Sequence, residues 1–137
     1  MKSTTSSCLY WGGIAINNLE QGSILFASGE ESNTAGTNNC RVRTADYIAA
    51  KANADYTVDI ENSIGKDILV FIYLFNSNKE IIDVIYSTTK PVPVKFTTTS
   101  DTAYLRFVFT YYPSTTSSPT DVAYKLDVSD LYNGILY

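Results

Sequence analysis

Ile68-Leu69-Val70-Phe71-Ile72-Tyr73-Leu74-Phe75 is apolar at every position. A strand sends alternate side chains to opposite faces, so a strand with no polar member has both faces covered. The run is short for a buried helix, which takes ~10–12 residues or more. It therefore reads as a central strand in a layered β structure. Asn76-Ser77-Asn78-Lys79 follows, and Glu80 to Tyr86 resumes an apolar-rich pattern. Polar turn residues between two strand-like runs predict a hairpin.

Outward from this hairpin, strand-like segments recur at short spacing. In 55–61, Tyr56, Val58 and Ile60 oppose Asp55, Thr57, Asp59 and Glu61. In 92–97, Val92, Val94 and Phe96 oppose Pro93, Lys95 and Thr97. In 121–128, Val122, Tyr124, Leu126 and Val128 oppose Asp121, Ala123, Lys125 and Asp127. Each alternation predicts a strand with one wet face. Segment 103–112 predicts a well-buried strand, with Leu105, Phe107 and Phe109 inward and Tyr104, Arg106 and Val108 on the other side. Shorter candidates lie at 10–16, 23–27, 39–44 and 47–50. Helical patterning is thin: 45–54 carries good helix formers, but Tyr47-Ile48 fits a strand after a bend, and 130–133 admits one helical turn. Many short strands with frequent turns predict an all-β fold, an antiparallel β-sandwich of jelly-roll type. Residues 1–9 read as a flexible tail and 10–137 as a single sandwich domain, with 113–119 a surface loop between two prolines.

The chain has 137 residues, enough for one domain that buries roughly two-thirds of its unfolded surface. Eleven tyrosines, six phenylalanines and one tryptophan favour strands, and tyrosine beyond core needs suits a recognition surface. A formal net charge of −4 without any basic run excludes a nucleic-acid footprint. Histidine is absent, which removes His-based metal sites, Ser-His-Asp and Cys-His catalysis. Asp plus Glu number 14, but most lie on wet strand faces where solvation keeps their acidity ordinary. No Gly-x-Ser-x-Gly or P-loop motif occurs, so no enzyme and no cofactor are expected. No segment approaches the ~20 apolar residues of a membrane span, so no membrane insertion is expected. Residues 1–7 lack an apolar h-region behind them, so no signal peptide is expected. Cys8 and Cys40 allow one disulfide without requiring it, since Cys8 sits in a Ser/Thr tail.

Between Gln21-Gly22-Ser23-Ile24 and Arg41-Val42-Arg43-Thr44-Ala45-Asp46-Tyr47-Ile48 lies a Ser/Asn/Gly-rich loop. Strand alternation puts Arg41 and Arg43 on one face and Cys40, Val42 and Thr44 on the other. These segments, followed by Asp55-Tyr56-Thr57-Val58, the hairpin 71–82 and Ala103-Tyr104-Leu105-Arg106-Phe107, form an ordered set. The order resembles a family of small β-sandwich modules in phage tail and receptor-binding proteins, over roughly residues 10–128. Similar modules occur in bacterial surface proteins and beside glycosidase domains. Cys40 and the Thr-rich loops depart from the pattern. The resemblance implies a non-catalytic carbohydrate-binding module of a virion tail or surface, acting extracellularly on a bacterial surface glycan. Other virion subunits would be its neighbours, and a homo-oligomer, a trimer or a larger ring, would give avidity to weak sites.

The candidate ligand-binding set is Trp11, Arg41, Arg43, Tyr47, Arg106, Tyr111 and Tyr112. Trp11 and the Tyr111-Tyr112 pair offer flat faces for sugar C–H groups, against core packing as the plain alternative. Arg41, Arg43 and Arg106 offer fork-shaped donors to sugar oxygens or carboxylates. Against that, Arg43 and Arg106 are expected to pair with Asp46, Asp55 or Asp59 and hold the sheet together. Tyr47 belongs to the same matching run. Glu30, Glu31, Asn33, Asn38 and Asn39 in the loop 28–39 supply oxygens for sugar or a structural calcium, or form a solvated loop. The rival function is a structural virion or decoration protein whose aromatic face binds another subunit.

Overall fold

The run 68–75 is a strand buried at all of its residues. A computed structural model describes residues 13–33, 40–86, 90–111 and 125–137. Trp11, Tyr112, Cys8, the loop 113–119 and residues 121–124 of the expected strand 121–128 lie outside the described residues. In chain order the strands are β1 (Ile14–Ile16), β2 (Leu19–Gln21), β3 (Ser23–Ile24), β4 (Glu31–Ser32), β5 (Val42–Thr44) and β6 (Ile48–Ala49). They continue with β7 (Asp55–Asn62), β8 (Ile68–Phe75), β9 (Ile81–Tyr86), β10 (Val94–Thr97), β11 (Tyr104–Tyr111) and β12 (Leu131–Leu136).

Every strand pair is antiparallel. One sheet has the order β1-β12-β7-β10; the other runs β2-β5-β11-β8-β9, with β6 also on β11; β3 and β4 form a separate small hairpin. The protein is an all-β sandwich. Between the sheets, Val58, Ile60 and Phe96 of one meet Val42, Ile72, Leu105 and Phe107 of the other. Phe96 and Phe107 touch edge to face across the gap, with ring centroids 6.1 Å apart.

β8 lies between β11 and β9 and is covered on both sides, as its composition requires. Its even-numbered residues face the core between the sheets. Phe71, Tyr73 and Phe75 face the opposite way, into a second apolar cluster with Ile24 and Val108. The expected hairpin is β8–β9, and its turn is organised by Asn76 Oδ1, which accepts from the Asn78 and Glu80 amides. On β11 the alternation is also as read: Leu105, Phe107 and Phe109 face the inter-sheet core.

Three strands differ from the sequence expectation. Residues 131–136 form β12, where a helical turn near 130–133 was the expectation; a single 3-10 turn precedes it at Val128–Asp130. Asn133-Gly134 resembles a turn in sequence, but Asn133 takes φ 53° and absorbs a register shift between Tyr132 and Ile135 inside the ladder. That is a β-bulge, which uses the same residues as a turn without ending the strand. β2 pairs with β5, and β4 lies inside what reads as a loop at 28–39. Strands of two or three residues carry too little pattern to announce themselves.

Phe107 is fully buried and touches both sheets' aromatic layers. Phe107→Ala is expected to destabilise the fold by about 3–5 kcal/mol, through lost burial plus the residual cavity. Urea unfolding followed by circular dichroism checks this.

Candidate functional site

The sandwich leaves one unusual surface: the outer face of the β2-β5-β11-β8-β9 sheet, partly roofed by the β3–β4 hairpin. Alternation dictates its residues, Arg41 just before β5 and Arg43 on it, Arg106 on β11, and Phe71, Tyr73 and Phe75 on β8. All three guanidiniums are buried there. A buried charge is costly unless paired and hydrogen-bonded, so where each one finds a partner is decisive.

Arg43 and Arg106 are met by the chain itself. Arg43 Nη2 lies 2.6 Å from Glu20 Oε2 and 3.4 Å from Glu31 Oε1, while Arg106 Nη2 lies 2.8 Å from Glu31 Oε2. Arg43 Nη1 also donates to Ser23 O at 3.0 Å and Asn33 Oδ1 at 2.7 Å. Gly22 permits this: its φ is +129°, and a Cβ there would collide with the Arg43 guanidinium and Asn33 Oδ1. Arg106 Nη2 donates to Thr44 O at 2.6 Å, and the Phe107 amide donates to Thr44 Oγ1 at 3.0 Å. Those two bonds bridge the break where β5 bends into β6 along β11.

The expected partners for these arginines are corrected by this geometry. Asp55 and Asp59 lie on β7 in the other sheet, and Asp55 Oδ1 accepts from Thr97 Oγ1 at 2.7 Å. Asp46 Oδ2 accepts from Asn18 Nδ2 at 2.5 Å. Arg43 and Arg106 are buried and engaged by the chain's own glutamates. Glu31 and Asn33, read as candidate sugar or calcium oxygens, are engaged by the same arginines. Among the described residues no group of three or more acidic or cysteine side chains gathers around a common point.

Tyr111 is 6% exposed and belongs to the inter-sheet core, so it presents no open ring for stacking. Its place at an odd position of β11 sends it inward with Phe107 and Phe109. Tyr47 is half-buried and packs edge-on against Phe75 at 5.0 Å, with Lys79 Nζ 5.1 Å and Arg106 Cζ 5.3 Å from its ring centre. Cations already occupy its surroundings.

The open rings are ones the sequence reading did not select. Phe26 is 46% exposed and Tyr86 56%, and they stack with centroids 5.4 Å apart and planes 18° from parallel. Phe26 comes from the turn between β3 and β4, Tyr86 from the end of β9. Both rest on buried Phe71, at 5.6 and 5.9 Å. The available signal was register: Tyr86 pairs with Phe71 and so shares its outer face. Phe26 had no such signal, because its position depends on how the hairpin folds back.

Arg41 packs on the same support, its Cζ 4.8 Å from the Phe71 ring centre. Burial lowers its guanidinium from the ordinary value, with Tyr73 and Cys40 acting in the opposite sense. Burial likewise raises the Tyr73 phenol, against the pull of Arg41, and the hydroxyl donates to Ile24 O at 2.5 Å.

A second depression, of about 510 Å³, is lined by Ile14, Ala49, Lys51, Asp55 and Tyr56. Tyr56 Oη accepts from the Lys51 amide at 2.8 Å and its ring stacks on Phe96. Asp55 is the one carboxylate among the described residues of its lining, and its Oδ1 accepts from Thr97 Oγ1.

No protein-family model, curated protein or solved structure matches this chain.

Two outcomes follow from the outer face. Glu31→Gln is expected to cost about 1–3 kcal/mol, because two buried guanidiniums lose their shared carboxylate. This is less than the ~3–5 kcal/mol of a fully buried pair, since the Glu31 side chain is 45% exposed and solvent screens it. Urea denaturation measures it. Tyr73 ionises near pH 10 in the unfolded chain but higher when folded. Its stability contribution is whole below that pH and is lost as pH rises through and beyond it. Tyr73→Phe is expected to flatten the alkaline loss of stability while costing about 1 kcal/mol at neutral pH, read from unfolding curves at both pH values.

Proposed function

We propose that the protein is a non-catalytic carbohydrate-binding module, and that its platform is the Phe26–Tyr86 pair. One observation carries the reading: two stacked, half-exposed rings fixed on a buried third ring. Large aromatics are normally the first side chains a fold hides, and exposed ones held rigid cost little further ordering when a ligand binds. A pyranose ring lays its C–H groups on such a face, and its hydroxyls take hydrogen bonds from polar neighbours.

The strand order supports a jelly-roll reading of the sandwich: β1-β12-β7-β10 faces β5-β11-β8-β9, with chain neighbours β7 and β8 in opposite sheets. The motif order that resembles phage tail and receptor-binding modules supports attachment to a bacterial surface polysaccharide as the biological setting. In that setting the module sits on a virion, beside other virion subunits, and repeated copies turn a weak site into firm attachment.

A second reading has its own observation. Leu25, 41% exposed, adjoins Phe26, and β9 pairs on one side only among the described residues. An apolar patch beside an open strand edge also suits contact with another protein subunit, as in a structural or decoration protein.

Titration of fluorescently labelled protein against a panel of purified bacterial surface polysaccharides separates the two. Saturable binding is expected, with Phe26→Ala and Tyr86→Ala each weakening it roughly five- to thirtyfold. That corresponds to about 1–2 kcal/mol for the ring area a sugar would cover. Unchanged affinity in both variants removes the platform. No binding to any polysaccharide, with the protein multimerised, moves the function to the subunit contact.

A further inference from the structure

Given the saccharide-binding reading above, we propose that the ligand is an acidic saccharide, whose oxyanion is received by the Arg41 guanidinium while a neighbouring sugar ring lies on Phe26 and Tyr86.

The three arginines on this sheet face are partnered unequally. The chain gives Arg43 two carboxylates and Arg106 one. Arg41 has no carboxylate within ion-pair distance among the described residues, although it is only 8% exposed. Its Nε makes no hydrogen bond. Arg106 Nε is also without a hydrogen bond, but Arg106 Nη2 is met by Glu31 and Thr44 O. Stacking on Phe71 gives the Arg41 cation some electrostatic relief, yet it satisfies no N–H donor. A guanidinium that is desolvated and lacks a counterion is poised for one from outside, and its planar fork matches a carboxylate or a phosphate. The depression of its basicity by burial has the same origin and would be relieved by an anion.

Position links this cation to the platform. Phe71 is the common support: Arg41 lies on it, and Phe26 and Tyr86 both rest against it. Cation and platform therefore meet at the same ring, as a saccharide's charged substituent and its apolar ring face adjoin in one ligand. The chain's net charge of −4 would repel a polyanion at long range, so selectivity for acid must come from a contact at the site.

The test uses three short oligosaccharides matched in length: one bearing a uronic acid, one bearing a phosphate, and one neutral. Short chains keep long-range repulsion small. Wild-type protein is expected to bind an acidic oligosaccharide at least tenfold more tightly than the neutral one, the factor one charge-assisted hydrogen bond supplies. Whichever acid binds more tightly identifies the oxyanion. Arg41→Gln is expected to remove the preference and leave neutral binding in place. Arg41→Lys keeps the charge and is expected to lose part of it. If neither variant folds, as judged by circular dichroism, the wild-type Arg41 Nε–H resonance decides. It should shift on saturation with the acidic oligosaccharide and stay put with the neutral one. Equal affinity for acidic and neutral ligands, both dependent on Phe26 and Tyr86, overturns the acidic preference while leaving the module reading intact. Binding of none of the three, in a protein that also binds none of the polysaccharide panel, overturns the module reading and this proposal with it.

Discussion

Glu31 holds the outer face of the larger sheet together. One carboxylate serves Arg43 and Arg106, which come from β5 and β11, and it does so from β4, which is not part of that sheet. A buried charge is costly to leave unpaired, and the β3–β4 hairpin folded over this face supplies the carboxylate that Arg43 and Arg106 share. Once it does, Ile24 enters the second apolar cluster and Tyr73 finds Ile24 O. Arg106 and Thr44 then satisfy the backbone where β5 turns into β6. The polar tie and the apolar cluster each require the other.

The same folding over sets the exposed rings. The turn after β3 carries Phe26 across to Phe71, where it meets Tyr86 from the end of β9. A ring fixed on both sides loses little freedom when it is covered again, which is what a recognition platform needs. Arg41 packs on the same Phe71, with no carboxylate within ion-pair distance among the described residues. The face thus divides into a part the chain has neutralised for itself and a part that it has not.

Much of the fold was legible. The apolar run 68–75, the hairpin after it and the alternations of β7 and β11 follow from a period of two residues, which is a local property. Less could be read where pattern and structure part company. Residues 130–133 admit a helical turn, but Asn133 lies at a bulge within β12. Glu31-Ser32 reads as loop but pairs as a strand with β3, which sets the Glu31 carboxylate against Arg43 and Arg106. The arginine partners were sought among the aspartates of other strands, whereas the glutamates that answer them stand on β2 and β4. Tyr111 was sought as a surface ring, yet its odd position on β11 commits it to the core.

The sequence by itself determined the all-β class, the central strand and which residues of each long strand share a face, because alternation is written into the backbone geometry. It also determined that Arg41 and Arg43 would share one face of their segment. Only the tertiary structure decided which of the three arginines would be neutralised, and which aromatics would remain open. Those outcomes depend on contacts between segments far apart in the chain: Glu31 reaching Arg106, and Phe26 reaching Tyr86. No local pattern encodes a distance between two loops, so partners and platforms emerge only when the sheets have closed.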